Sequence, residues 1–469
     1  MNQPASAPTS GRLVHALSFV LFFTVMNATM FNVALPSIAA DFGLRSSAVS
    51  WVATIYSVLY ALGSLLFGKL ADRLPLKRLI TVGLLLFASG SAVGVFADSY
   101  PMLLAARVIQ AAGASCVPAL IMLIPIRFYP PESRGRVMGT IASTLAFSAG
   151  IGPIVGGFIT GRFHWSGMFL ISLLAPVALP MIRRALPDEP VREGGQVDWI
   201  GAGLLGAAVT MIMLSVTQWN GWFLAGAVLL AAWFAVRSLR VAHPFVRLSL
   251  FRNTDYACGL AVSFATLFAV FGLFMAMPLM LGDPNGHGLG AQAIGFVLFP
   301  GAMSAALLGR FGGGLVDRRG SRFTLFIALG FIGSGMLALS VLSAVDARLV
   351  AAILPLINAP FTFVQAAMAK SVSSTLPREE SGVGMGVYNL LNFMAGAISG
   401  SIVSKMIEFD LSGLNVLALV RPSTYGAIFM LLALLIALTG LLAWARLDRR
   451  GAPRPAQTQA RASRSAGGL

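Results

Sequence analysis

Residues 68–73 read Gly-Lys-Leu-Ala-Asp-Arg, and residues 313–318 read Gly-Gly-Leu-Val-Asp-Arg. Gly68, Leu70, Asp72 and Arg73 match Gly313, Leu315, Asp317 and Arg318 at one constant spacing of 245 residues. Each hexapeptide follows a long apolar run, so the same polar turn recurs at the same place in two halves of one chain. Duplication on this scale in an apolar sequence predicts two similar helical bundles embedded in a bilayer, with a site between them near the midplane.

Composition points the same way. The 469 residues are 57% hydrophobic and 11% charged, against roughly 25% charged in soluble globular proteins. A globular enzyme working in water is excluded. A helix needs about 20 apolar residues to cross a bilayer, and fourteen runs qualify. They lie near 13–36, 47–67, 79–97, 102–126, 137–160, 167–182, 199–218, 222–236, 257–281, 291–309, 323–344, 349–369, 382–404 and 424–445. The expected fold is all-α and polytopic, with two six-helix bundles and helices 7 and 8 inserted between them. The corresponding segments are an N-terminus (1–12), a first bundle (13–186), a linker carrying the inserted helices (187–256), a second bundle (257–445) and a basic tail (446–469). The tail is rich in Pro, Ala, Arg, Ser and Gly, which predicts disorder.

Lys and Arg total 33 against 17 Asp and Glu, a net charge of +16. With both termini placed inside the cell, most of the basic residues fall in the inner loops, as short cytoplasmic loops require. The excess is thus a record of topology, and no nucleic-acid partner is needed to explain it. The first apolar stretch is too long for the core of a signal peptide and reads as a retained helix. Cys116 and Cys258 sit inside apolar runs and form neither a disulfide framework nor a metal site. Neither GxxxxGK(S/T) nor HExxH occurs, so no catalytic residue, cofactor or metal is expected.

The longer stretch GKLADRLPLKR, residues 68–78, sets Asp72 among Lys69, Arg73, Lys77 and Arg78. A carboxylate there can accept hydrogen bonds from the basic residues of its own loop and from the N-terminal end of a helix in the other half. That contact would latch the halves on the inner side, with Asp317 and Arg318 repeating the device. The plainer reading is an ordinary positive-inside loop.

Arg107 is the one cation that this topology leaves inside the hydrocarbon region, where a charge must be paired or face a wet cavity. Gln110, one turn on, shares its helix face. The plainer reading is a snorkelling arginine, since Arg107 lies only about 9 Å along the axis from Pro101. In helix 5, SAGIGPIVGG (148–157) offers Ser148, Gly152, Gly156 and Gly157 for close helix packing, and Pro153 removes one backbone donor. Beyond packing, this stretch could act as a pivot or seal between the halves.

Together these motifs resemble the major facilitator superfamily in its fourteen-helix drug:proton antiporter branch. GKLADRLPLKR is similar to that family's loop motif, RVIQ (107–110) to its helix 4 motif, and GIGPIVGG (150–157) to its antiporter motif. NATMFNVALP (27–36) and HPFVRLSLFRN (243–253) resemble further stretches of the branch. RVIQAAGASCVPALIM (107–122), FPGAMSAALLGRFGGGLVDRRGS (299–321) and AKSVSSTL (369–376) look most like the tetracycline exporters of Gram-positive type. The resemblance implies export of amphiphilic, antibiotic-like small molecules in exchange for protons, by a monomer in the bacterial cytoplasmic membrane.

The chain departs from the branch where acids are expected. Asn27 stands where the branch often has Asp, while Ala28, Ala149 and Gly396 stand where the tetracycline subgroup has Glu. The loop motif's usual Gly and Arg are Pro75 and Leu76. On this topology no acid falls mid-membrane, so a proton carrier would have to be Asp72, Asp317 or the substrate's own ionisable group. Candidate cavity residues are Asn27, Arg107, Gln110, Asn358, Gln365, Tyr388, Asn389 and Asn392, each of which interhelical hydrogen bonding would explain equally well. A cavity without carboxylates favours a neutral, zwitterionic or anionic substrate. The alternatives are a facilitator of the same fold without proton coupling, or a membrane receptor or scaffold that transports nothing.

Overall fold

The computed structural model describes residues 11–446 apart from positions 45, 50, 190–197, 242–243, 284–285, 290, 343–345, 378–379, 410 and 415–422. The expected disordered tail, beyond residue 446, lies outside the described residues. Among the described residues there are fourteen helical segments long and apolar enough to cross a membrane, and no strand. In chain order they are α1 (Gly11–Phe42), α2 (Trp51–Ala71), α3 (Leu76–Val95), α4 (Tyr100–Phe128), α5 (Pro131–Arg162), α6 (Gly167–Ala185) and α7 (Trp199–Gln218). Then follow α8 (Gly221–Arg240), α9 (Thr254–Gly282), α10 (Ala291–Arg319), α11 (Ser321–Leu342), α12 (Ala347–Ser374), α13 (Ser381–Glu408) and α14 (Thr424–Arg446).

Local sequence explains where these helices start and break. Asp198, Asn220, Asn253 and Asp346 cap α7, α8, α9 and α12 with side-chain oxygens, satisfying N–H groups that have no partner inside the helix. The span α6 is interrupted at Pro176 and Pro180. It consists of Gly167–Ser172, a 3-10 turn at Ala175–Ala178 and Leu179–Ala185. Likewise α12 divides at Leu354, just before Pro355, where the ring removes a donor.

Two helix pairs make the largest contacts between the halves. α5 lies along α10, α2 lies along α13, and the inserted pair α7–α8 leans through α7 on α2 and α13. Glycines make both crossings close: a Cβ on Gly139 of α5 would fall 2.7 Å from Gly313 Cα of α10, and Gly68 meets Gly382 backbone to backbone. Missing side chains at such contacts let dipoles and backbone approach where lipid offers no hydrophobic drive. The SAGIGPIVGG stretch turns another way. A Cβ on Gly156 would lie 2.5 Å from Met30 O, Gly152 abuts Thr29 and Met26, and Gly157 faces Val33, so these glycines seat α5 on α1 within one half. Gly150 of the same stretch, however, faces the other half, where a Cβ would fall 3.0 Å from Ala302 Cβ of α10, and Gly135 and Gly139 make still closer approaches to that half at the other end of the helix. Ser148 donates to Thr144 O, and α5 runs through Pro153 unbroken.

Candidate functional site

The two repeated aspartates make the same contact in opposite directions. Asp72, just past α2, accepts the N–H groups of Gly382 (2.8 Å) and Val383 (3.2 Å) at the start of α13. Asp317, in the last turn of α10, accepts those of Gly135 (2.8 Å) and Arg136 (2.7 Å) at the start of α5. Each carboxylate thus meets the N-terminus of a helix in the other half, where unpaired N–H groups and the helix dipole favour an anion. Bonds of this charge-assisted kind contribute about 1.5–3 kcal/mol each. Both contacts close the same end of the molecule.

Their surroundings differ. Asp317 is also bonded by Lys370 Nζ of α12 at 2.6 Å. Arg127 at the end of α4 stays 3.9 Å from Asp72 and spends its donors on Ala71 O (2.6 Å) and Glu189 Oε1 (3.2 Å). Burial raises the Asp72 carboxyl to about 6, against the lowering pull of the Gly382 and Val383 N–H groups, Arg127 and Lys69. Of the loop's other cations, Lys77 pairs with Asp188 at 2.7 Å, Arg73 is half-buried, and Arg78 and Arg318 point outward and are exposed.

Arg107 does not snorkel. It is wholly buried inside the first half. Nε donates to Val52 O (3.2 Å), and Nη1 to Asn27 Oδ1 (3.0 Å) and Gln110 Oε1 (2.7 Å). Asn27 passes a hydrogen bond to Ser172 and Gln110 one to Ser91. Phe31 and Tyr56 cover the guanidinium, 4.2 and 4.0 Å from its carbon, a cation–π arrangement that offsets desolvation. Among the described residues no carboxylate pairs with it, so carbonyl and amide dipoles and ring faces hold the charge. From Tyr56 an aromatic column continues through Tyr60 to Phe393 of α13, joining this network to the other half.

The other predicted polar residues lie on that far side. Asn358, Gln365, Tyr388 and Asn389 are buried in α12 and α13, and Asn392 accepts from Ser263 of α9 at 2.9 Å. Three buried donors, Arg107 Nη2, Gln365 Nε2 and Asn389 Nδ2, have no hydrogen-bond partner. Every acid among the described residues lies in a loop, at a cap or within two residues of a helix end. The sequence reading did not single out Gly135, Gly382, Arg127 or Glu189. One signal was available: Gly135-x-x-Met138-Gly139 recurs as Gly382-x-x-Met385-Gly386, so the receiving helix starts are duplicated as well as the donor turns.

Comparison with known proteins fits this architecture. The model of the Major Facilitator Superfamily matches residues 17–400. Over 329 residues the chain is 26% identical to the riboflavin transporter RibZ of Clostridioides difficile, covering 69% of this chain and 72% of that one. Over 319 residues it is 31% identical to the multidrug export protein EmrB of Haemophilus influenzae, covering 64% of this chain and 62% of EmrB. The crystal structure of the human organic anion transporter MFSD10 superposes with a TM-score of 0.67 at 18% identity, over 94% of this chain and 100% of that one. With fourteen apolar helices, two halves joined at matched crossings and a family match over most of its length, the chain belongs to the Major Facilitator Superfamily and is a multi-pass membrane transporter, not an enzyme.

Proposed function

We propose that the protein is a secondary active exporter of amphiphilic, drug-like small molecules, of the fourteen-helix drug:proton antiporter kind. The two bundles, 13–186 and 257–445, rock about a central cavity, and Asp72 and Asp317 latch them on the cytoplasmic side of the bacterial inner membrane. The observation that carries this reading is the reciprocal pair of aspartate-to-helix contacts, which must break for that end to open. Relatedness to a multidrug export protein supports the direction of transport. The unpartnered donors Arg107 Nη2, Gln365 Nε2 and Asn389 Nδ2 suit a substrate rich in acceptor oxygens, and tetracycline-like compounds are the first to try. Asp72 is the proton carrier in this scheme, because burial raises its carboxyl to about 6. Everted vesicles carrying the protein and a pH gradient test it: adding substrate should release protons, and transport indifferent to a protonophore overturns the antiport.

A second reading keeps the fold and drops the coupling. It is favoured by the lack of any acid deep within the spans of the described residues, since an ion carrier in the membrane normally needs a titratable group there. The riboflavin transporter among the relatives makes a vitamin-like substrate the natural probe for that case.

A further inference from the structure

The linker between the halves reaches the first latch from both of its ends. At its entry, Glu189 Oε2 accepts the Leu76 N–H at 3.0 Å. Leu76 opens α3, and Pro75 in the cap position has no side-chain oxygen to offer. Glu189 therefore replaces the missing cap from 113 residues away. Its other oxygen holds Arg127 Nη1 at 3.2 Å. Side-chain exposures of 18% for Glu189, 13% for Arg127 and 11% for Asp72 make this an interior arrangement whose geometry counts. At the linker's exit, Pro244 O accepts from Lys69 of α2 at 3.4 Å, and Arg247 bonds Glu380 at 2.7 Å. Glu380 is the cap of α13, two residues before the Gly382 N–H that Asp72 receives. Arg237 closes the inserted pair with two bonds to Asp198, 2.9 and 2.8 Å.

We propose that Glu189 is a positioning residue of the first latch: it holds Arg127 back from Asp72, so that the linker sets how tightly that latch closes. The second latch shows the alternative, with Lys370 bonded directly to Asp317 and, among the described residues, no linker acid between them. Released from Glu189, Arg127 needs to close the 3.9 Å gap to Asp72 by only about 1 Å to reach charge-assisted hydrogen-bond distance. The charged groups around Asp72 are Lys69 and Arg73 of its own stretch, Arg127, Glu189, and Arg247 with Glu380 at the start of α13. Of the two acids in this set, Glu380 bonds Arg247, whereas Glu189 bonds Arg127, the cation 3.9 Å from Asp72, so its removal frees that cation. The inserted helices then have a task, because any displacement of the linker alters the grip on Arg127.

This rests on the reading of Asp72 as a gate, and one experiment separates the two. Full-length protein in proteoliposomes, with Cys116 and Cys258 replaced by alanine, carries spin labels at Ser133 and Ser374, one on each half. The inter-label distance distribution is followed from pH 4 to 8 for the parent, Glu189→Gln and Asp72→Asn. Glu189→Gln is expected to lower the midpoint of the pH-dependent change and to raise the closed fraction at pH 7, since Arg127, already 3.9 Å from Asp72, is then free to close to hydrogen-bonding distance and favour the ionised carboxylate further. A midpoint unchanged in Glu189→Gln while Asp72→Asn abolishes the pH dependence overturns the positioning role alone. A parent-like Asp72→Asn overturns the gate reading itself. Should Glu189→Gln fail to fold, Glu189→Asp gives the second measurement: one methylene shorter, its carboxylate no longer spans from the Leu76 N–H to Arg127, so the midpoint must fall as well, and an unchanged midpoint overturns the positioning role.

Discussion

The two latches are copies of one sequence device, and they are not equally strong. In the second, Asp317 has two backbone donors and a lysine at 2.6 Å. In the first, Asp72 has two backbone donors and an arginine at 3.9 Å. The difference teaches that a duplicated turn specifies the contact, whereas the neighbouring charges decide its strength and its response to pH. A carboxylate that is buried with its cation held off titrates within reach of the cell's pH, which for Asp72 is about 6.

The largest effect should come from removing the close approach that both latches need. Gly382→Leu and Gly313→Leu each put a side chain into the opposing backbone. At least a tenfold loss of transport is expected in vesicles, with normal insertion by gel filtration; unimpaired transport would show that this end need not close. Next, Asp317→Asn should open its latch at pH 7, whereas Asp72→Asn, neutral as the protonated carboxyl is, should not. The first change weakens three bonds and leaves Lys370 facing no anion, a loss of about 1.5–3 kcal/mol per charged bond, and the spin-label distances used above would report the order. An equal or reversed order would collapse the comparison.

The pH response should belong to the first latch. In the closed form Asp72's carboxyl lies near 6, above the usual value of about 4 that a solvated carboxyl in the open form would have. The closed form therefore binds the proton more tightly. Its support for closure is complete below about pH 4 and is lost as pH rises through 6, a swing of about 3 kcal/mol. Asp317→Asn should leave that midpoint in place, whereas Asp72→Asn should erase it; the reverse would assign the titration to the wrong latch. The smallest effect is expected at Lys77, whose partner Asp188 is 88% exposed. Lys77→Ala should change stability by less than about 1 kcal/mol, as exposed pairs do, and a larger change in thermal unfolding would make that pair part of the linker's attachment to the first latch.

Much of this was legible before any coordinates. Apolar runs located all fourteen spans because a bilayer core sets one length for every helix. Runs near 167–182 and 222–236 came out shorter than α6 and α8, because Arg183 and Arg184 finish α6 and Arg237 and Arg240 finish α8, and these are not apolar by composition. Arg107 and Gln110 were readable as neighbours from helical spacing. That Asn27 and Val52 also hold Arg107 was not, because those partners lie 80 and 55 residues away. Lys77 illustrates the limit from the other side, since proximity in sequence to Asp72 suggested a bond that the fold gives to Asp188.

Taken alone, the amino-acid sequence determined the membrane as solvent, the number of helices, the duplication and the scarcity of acids. Each of these follows from local composition or from self-similarity, which need no knowledge of what touches what. Only the tertiary structure decided where the aspartates' hydrogen bonds go, 310 and 182 residues along the chain. It also decided that Glu189 stands between the linker and Asp72. Such contacts arise from the geometry of helix crossings, where a single missing Cβ admits a backbone N–H to a carboxylate, and no spacing along the chain encodes that distance.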